Sequence, residues 1–306
     1  MAAPRASVII ATRNRRDFLA RALASVEAQS FRDFEIIVVD DASTDGTASW
    51  LRSTRPRLRT IELARRVGAA AARNRGVEAS VGDVLAFLDD DDTWRPSYLG
   101  RQLAALDGSP SVELSSSGHV EIDRQGRARW PDLRPAADYE SPLVHLLAEC
   151  PIHTLSAVAC HRSAWQRIGP FDEHLEIAHD LDWYARLLAS GGHRTHVPEP
   201  LVLRGVPGGL VSRHRDWHAE DRAVRDRVFG SAALGRRERH LVNASRALLF
   251  ARVGLGKGDL RFGVAQLYQA LSTAPIVSLR LALTRARRYR RNAAVAAWTA
   301  TATEPG

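Results

Sequence analysis

The chain has 306 residues, 45% hydrophobic and 25% charged, with a formal net charge of +8 and only two cysteines. This composition is that of a soluble globular protein, long enough to bury a full core and to form one large domain plus a smaller one. The longest apolar runs fall short of the roughly 18–20 residues that a membrane-spanning helix needs.

The N-terminal stretch MAAPRASVIIATRNRR holds an apolar run of about five residues, too short for the core of a signal peptide. It reads better as a strand, SVIIAT at 7–12. With two cysteines and no export signal, the expected location is a reducing cytoplasm, with Cys150 and Cys160 as free thiols. Residues 17–29 place Phe18, Leu19, Ala22, Leu23 and Val26 on one helical face. FEIIVVDD (34–41) is a second buried strand, followed by a helix over 43–53 with Ser43 or Thr44 as N-cap. RTIEL (59–63) is a third strand, 68–80 a helix of small residues, and DVLAFL (83–88) a fourth strand. Pro96 suits the first turn of the next helix, at 96–107. Such alternation predicts a mostly parallel sheet covered by helices, with ligands at the carboxyl ends of its strands.

Those carboxyl ends are chemically loaded. The first strand ends in Thr12-Arg13-Asn14, the second in Asp40-Asp41, and the fourth in four consecutive aspartates, Asp89 to Asp92. Like charges crowded at a strand end repel, so a positive partner is expected. One carboxylate group can accept from a base N–H or a ribose hydroxyl. Another can hold a divalent cation that bridges to a diphosphate.

The run SVIIATRNRRDFLARALASVEAQSFRDFEIIVVDDASTDGT resembles the opening of family-2 glycosyltransferases, with Thr12, Asn14, Gln29, Phe31, Phe34, Asp40, Asp41, Ser43, Asp45 and Thr47 in the family's places. AARNRGVEASVGDVLAFLDDDDTW and CHRSAWQRIGPFDEHLEIAHDLDWYARLLASG are similar to two further family stretches, so the likeness covers about residues 6–205. The resemblance implies a GT-A fold, a Rossmann-like α/β sheet, over 1–210, with a nucleotide-sugar half at about 1–107 and an acceptor half at about 108–210. It also implies a metal-dependent inverting transfer from a nucleotide sugar, UDP-linked by expectation, to an acceptor hydroxyl of a saccharide, lipid, peptide or metabolite. By this likeness Thr12 and Asn14 line the nucleotide, Asp41 contacts the base, and Arg73 lies near the nucleotide. Asp89-Asp90-Asp91 matches the D-x-D motif, with Asp90 near the ribose and Asp91 ligating Mg2+ or Mn2+. Asp92 supports the loop, and Asp180 is the general base, with Asp182 placed to cap its helix.

Two departures stand out. The base is preceded by His179 where the family often has Glu, and His179 could tune Asp180, bind acceptor or pack. The family's histidine after the last strand falls at Val206 or Pro207, so no histidine ligand is assigned, with His214 and His218 as weak substitutes. A nucleotidyltransferase and a catalytically silent nucleotide-binding scaffold are the alternatives. The first wants a glycine-rich phosphate loop that VIIATRNRR lacks; the retained Asp41, Asp91 and Asp180 speak against the second.

Residues 119–130 read as a hairpin turning at Gln125-Gly126, and Trp130, Trp165 and Trp183 as core rather than sugar platforms. From 211 the period becomes helical, with a repeat-like hairpin at 248–275 and a basic amphipathic helix at 276–300. Residues 201–306 carry 19 Arg/Lys against 7 Asp/Glu, about +12, which leaves the first 200 residues about −4. Peripheral contact of that tail with an anionic membrane surface is one expectation, a solvated arginine-rich face the other. No nucleic-acid module is present in the pattern.

Overall fold

A computed structural model describes residues 3–122, 128–129, 141–205, 217–231, 234–256 and 259–274. The turn at Gln125-Gly126, Trp130, Val206, Pro207, His214 and the expected helix at 276–300 lie outside these residues. The chain divides into two compact units, Met1–Arg127 with Ile152–Glu220, and Ala128–Pro151 with Asp221–Gly306.

The first unit begins β1 (Ala6–Thr12), α1 (Arg16–Glu27), β2 (Phe34–Asp40), α2 (Thr47–Thr54), β3 (Arg59–Glu62), α3 (Ala69–Ala79) and β4 (Val84–Asp89). It continues with β5 (Thr93–Trp94), α4 (Tyr98–Asp107) and β6 (Val112–Ile122). The two-residue β7 (Ala128–Arg129) and α5 (Pro142–Glu149) belong to the second unit. The first unit resumes with a 3-10 turn at Leu155–Ala157, β8 (Val158–His161), α6 (Arg162–Ile168), α7 (His179–Ala189) and β9 (His193–Arg204). α8 (Trp217–Ser231) reaches the unit boundary at Glu220.

The sheet order is β3-β2-β1-β4-β8-β6-β9-β5. β3, β2, β1 and β4 run parallel, as the alternating pattern predicts. β8 is antiparallel to β4 and to β6, β9 is parallel to β6, and β5 is antiparallel to β9. The side-chain period of two sorts the parallel strands onto two faces. Val8, Ile10, Val38 and Leu88 pack with Leu19, Leu23 and Val26 of α1 and Tyr98, Leu99 and Leu103 of α4. Ile37 and Val39 face Ala72 of α3 instead. Each such fully buried Leu, Ile or Val contributes about 1.5–3 kcal/mol. The small residues of α3 have a steric cause: a Cβ on Gly76 would lie 2.5 Å from Cγ2 of Ile9 and 3.3 Å from Cγ2 of Val39.

α2 starts later than the sequence pattern suggests. Ser43 and Thr44 are not its N-cap; they bond Asp40 and Asn14, and the helix opens after Gly46 at φ +85°. Asp45 accepts from the N–H and hydroxyl of Thr47 at 3.0 and 2.6 Å. These bonds outweigh its partial burial and hold its pKa below the ordinary value.

The second unit is helical. α5 opens with Ser141 accepting from Val144 N and Pro142 in the first turn. Beyond Asp221 come the rest of α8, α9 (Arg236–Gly256) and α10 (Leu260–Thr273), the helices expected from the period change at 211. α9 and α10 form a close hairpin: a Cβ on Gly254 would lie 2.8 Å from the Phe262 ring. Buried Asp221 is paired with Arg225 at 3.0 Å and with Arg246. α5, which falls within the expected acceptor half, groups with these helices. Among the described residues no helix is long and apolar enough to cross a membrane.

Candidate active site

Sheet register assembles the site. Thr12 pairs with Asp40, Ala11 with Asp89, and Asp40 with Glu62, so the carboxyl ends of β1, β2, β3 and β4 share one edge. Along that edge Thr12 Oγ1 donates to Asp90 Oδ2 at 2.8 Å. Arg15 Nη1 donates to Asp90 Oδ1 at 3.0 Å and to Asp91 Oδ2 at 2.9 Å. Arg15 is thus one positive partner of the four aspartates. Burial alone would weaken its charge, but Asp90 and Asp91 raise its pKa above the ordinary arginine value. Burial lifts the Asp90 carboxyl to about 6, with Arg15 opposing the shift and Asp91 adding to it.

Asp89 faces the other way. Arg73 Nη2 donates to Asp89 Oδ1 at 2.5 Å, and Arg73 Nη1 lies 2.8 Å from Nε2 of His179. A guanidinium only donates, so His179 Nε2 accepts and the ring is neutral with its proton on Nδ1. Burial, reinforced by Arg73, keeps the His179 pKa well below that of a free imidazole. Asp180 follows on the first turn of α7, half-buried, with Oδ1 accepting from Leu181 N at 2.7 Å. Burial raises its pKa to about 6; the Leu181 N–H and Arg73 hold it down, while the Asp89 charge pushes it up. Arg73, Asp89, His179 and Asp180 therefore form one electrostatic group at the strand edge.

Asp92 is sealed beneath the loop. Its Oδ1 accepts from Gly205 N at 2.9 Å and its Oδ2 from Thr154 Oγ1 at 2.9 Å. Burial and the charges of Asp89 and Asp91 raise its pKa to about 7. Ser156 Oγ accepts from Asp89 N at 2.9 Å, so the aspartate loop is tied from β9 and from the 3-10 turn. The side chains of Asp89 and Asp91 remain more open than that of Asp90, at 28%, 21% and 8% exposure. The more exposed side chains on the loop are thus those of Asp89, paired with Arg73, and Asp91, paired through Oδ2 with Arg15.

On the β2 side, Asp41 accepts from Val67 N at 2.6 Å and Gly68 N at 3.0 Å, which fixes the entry to α3. Each of its oxygens keeps a second lone pair. Asn14, in the left-handed region at φ 54°, accepts from Thr44 N at 2.6 Å, while Asn14 N donates to Ser43 Oγ at 2.9 Å. Ala42 is also left-handed at φ 55°, a conformation costly for a residue with a Cβ. These bonds lock the β1 and β2 loops to each other.

Several partners escape a sequence reading. Arg15 is one of three arginines in TRNRR, and only the register selects it. Thr154, Ser156 and Gly205 lie more than 60 residues from the loop they hold. Glu220 accepts from the backbone N–H groups of Glu176, Ile177 and Ala178 at 3.1, 2.9 and 2.9 Å and so supports the entry to α7. Asp182 pairs with Arg186 one turn on, at 2.8 Å. His218 lies on α8. Trp165 and Trp183 are buried and stack at 5.5 Å, core residues as expected.

Known proteins resemble this chain in sequence and in fold. The profile of the family described as Glycosyl transferase family 2 matches residues 7–174. The succinoglycan biosynthesis protein ExoO of Rhizobium meliloti (strain 1021) is 30% identical over 220 residues, covering 69% of this chain and 63% of its own. The putative teichuronic acid biosynthesis glycosyltransferase TuaG of Bacillus subtilis (strain 168) is 41% identical over 126 residues, 40% of this chain and 50% of its own. The chain therefore spans about half to two thirds of the length of these relatives. Among solved structures, S. aureus TarS 1–349 in complex with UDP-GlcNAc superposes with a TM-score of 0.64 at 21% identity, over 89% of this chain and 80% of its own. The mannosyltransferase PcManGT from Pyrobaculum calidifontis, in complex with GDP-Man and Mn2+, gives 0.60 at 23% identity, over 95% and 83%. These likenesses show the fold, which is GT-A. The chain belongs to glycosyl transferase family 2.

Proposed function

We propose that the chain is an inverting glycosyltransferase that moves a sugar from a nucleoside diphosphate sugar, UDP-linked, to an acceptor hydroxyl. The observation that carries this reading is the shared strand edge, where the Asp89–Asp92 loop and Asp180 are joined through Arg73. The family assignment supports donor binding at this edge. UDP is favoured by the TarS complex with UDP-GlcNAc, while PcManGT with GDP-Man keeps GDP as the competing nucleotide.

The donor set fits a hard divalent cation. Asp91 offers a carboxylate oxygen beside the Oδ2 that Arg15 holds, the ligand type that Mg2+ and Mn2+ prefer. Held through Asp91, such an ion supplies neutralisation of the charge on the diphosphate leaving group. The chain's own residues do the rest. Thr12 and Arg15 orient Asp90 for the ribose, and Arg15 keeps a positive charge beside the phosphates. Asn14 and Asp41 fix the two loops that flank the base. Asp180, ionised above about pH 6, takes the proton of the acceptor hydroxyl as its oxygen bonds the anomeric carbon. The bond from that carbon to the diphosphate oxygen breaks on the opposite face, which inverts the centre.

A panel of UDP-, GDP- and dTDP-sugars, assayed for free nucleoside diphosphate with Mn2+ and a mixed acceptor pool, tests this. Release of one nucleoside diphosphate is expected. Pyrophosphate release from a nucleoside triphosphate would point to a nucleotidyltransferase, and no turnover of any donor to the silent scaffold.

A further inference from the structure

Away from Asp91, a second set of ligand-bearing side chains converges. His119 and Glu121 lie on β6, and His153 lies just before the 3-10 turn. One ligand atom from each lies within 4.8 Å of the others. His119 is 2% exposed, and among the described residues its Nε2 meets no hydrogen-bond partner. A buried ring nitrogen without a partner is unfavourable in the folded state, and a bound ligand would offset that cost. The His119 and His153 rings meet edge-on, with centroids 5.3 Å apart. Arg204 Nη1 donates to Glu121 Oε1 at 2.9 Å, which steadies the carboxylate and leaves Oε2 available.

We propose that His119, Glu121 and His153 bind one transition-metal ion of the Zn2+ class, distinct from any ion held by Asp91. Two imidazoles and a carboxylate are the ligand set of open zinc sites, with bonds of about 2.0–2.2 Å and a fourth position left for water or substrate. Ligands of a tetrahedral ion with bonds of about 2.0–2.2 Å lie about 3.4 Å apart, so atoms within 4.8 Å of one another have roughly 1 Å to close. Mg2+ and Ca2+ prefer all-oxygen sets and are disfavoured here.

The position gives the ion a consequence. His153 adjoins Thr154, and Arg204 adjoins Gly205; Thr154 and Gly205 are the two groups that hold Asp92. Bound metal thus fastens the segments that hold the aspartate loop.

The test titrates Zn2+ alone into chelator-stripped full chain, without donor. Wild type and Asp91→Asn should each bind one ion at a matching affinity. His119→Gln and His153→Gln should each weaken it by at least about 10-fold, the low end of losses seen even for residues behind the ligands. Co2+ in place of Zn2+ should give a visible absorption band in wild type that both histidine variants lose. Should His119→Gln fail to fold by circular dichroism, His153→Gln, at a more open position, carries the same expectation. Absence of saturable Zn2+ binding in Asp91→Asn, or full affinity in the histidine variants, overturns the proposal. Because no donor is used, that failure leaves the transferase reading untouched.

Discussion

Replacing Arg73 by Met should shift the acid limb of transfer to higher pH. Arg73 is the cation that opposes protonation of Asp180, ranking behind burial and the Leu181 N–H. Removing an opposite charge at about 4–6 Å typically releases about 1–3 pH units, and the ranking of Arg73 places its share at the low end. Asp180 should then titrate near about 7 instead of about 6. At about pH 6 the ionised fraction drops from about one half to about one tenth, a roughly fivefold loss of kcat. At about pH 8 both forms are at least about 90% ionised and the difference nearly vanishes. Loss of the Asp89 partner acts in the same direction, since an unmatched Asp89 repels the Asp180 carboxylate. The assay is a kcat profile at saturating donor for wild type and variant. An acid limb that does not move, or a kcat lowered equally at every pH, would refute the claim that Arg73 sets the ionisation of the base.

Three further outcomes follow from the same geometry. Asp180→Asn should lower kcat by about 10²–10⁴ and leave the nucleotide Kd unchanged, since the variant loses only proton transfer. Normal transfer by it, read as released nucleoside diphosphate, would remove Asp180 from the base role. Gly205→Ala should cost about 1–3 kcal/mol in a thermal melt and depress kcat/KM, because its Cβ would overlap the Asp91 carbonyl and displace the aspartate loop. An unchanged melt would show that the loop yields freely. Asp92 has a folded pKa of about 7, raised above the ordinary 3.8, so it favours the folded state fully at low pH and loses that contribution as pH rises through about 7. Raising the pH from about 6 to about 8 should therefore lower the melting temperature of the metal-free wild type relative to that of Asp92→Asn, a comparison in which the opposing contributions of the buried histidines cancel. Parallel pH dependences in the two chains would contradict the burial argument.

The nearest-neighbour part of the fold was legible because it is written locally. SVIIAT, FEIIVVDD and DVLAFL are short, largely apolar runs, and they become β1, β2 and β4 within a residue or two of the expected bounds. Their polar ends mark the strand edge directly, so Asp40, Asp41 and the four aspartates could be placed together from sequence. The antiparallel β8 between β4 and β6 was not legible, since VACH is four residues long and pairs across more than 40 intervening positions. The same holds for the supports of the site. Arg15, Thr154, Gly205 and Glu220 are ordinary residues in sequence and gain meaning only through long-range bonds. Ser43 and Thr44 misled for a related reason: good capping residues were drawn into bonds with Asp40 and Asn14 instead.

The most direct measurement is calorimetric titration of UDP, with and without Mn2+, into wild type and Asp91→Ala. GDP and dTDP run in parallel. The account predicts that one nucleotide binds tightly only when Mn2+ is present, and that Asp91→Ala abolishes the metal-dependent gain. Binding that ignores Mn2+, or that survives in Asp91→Ala, would contradict a metal–diphosphate site at the aspartate loop.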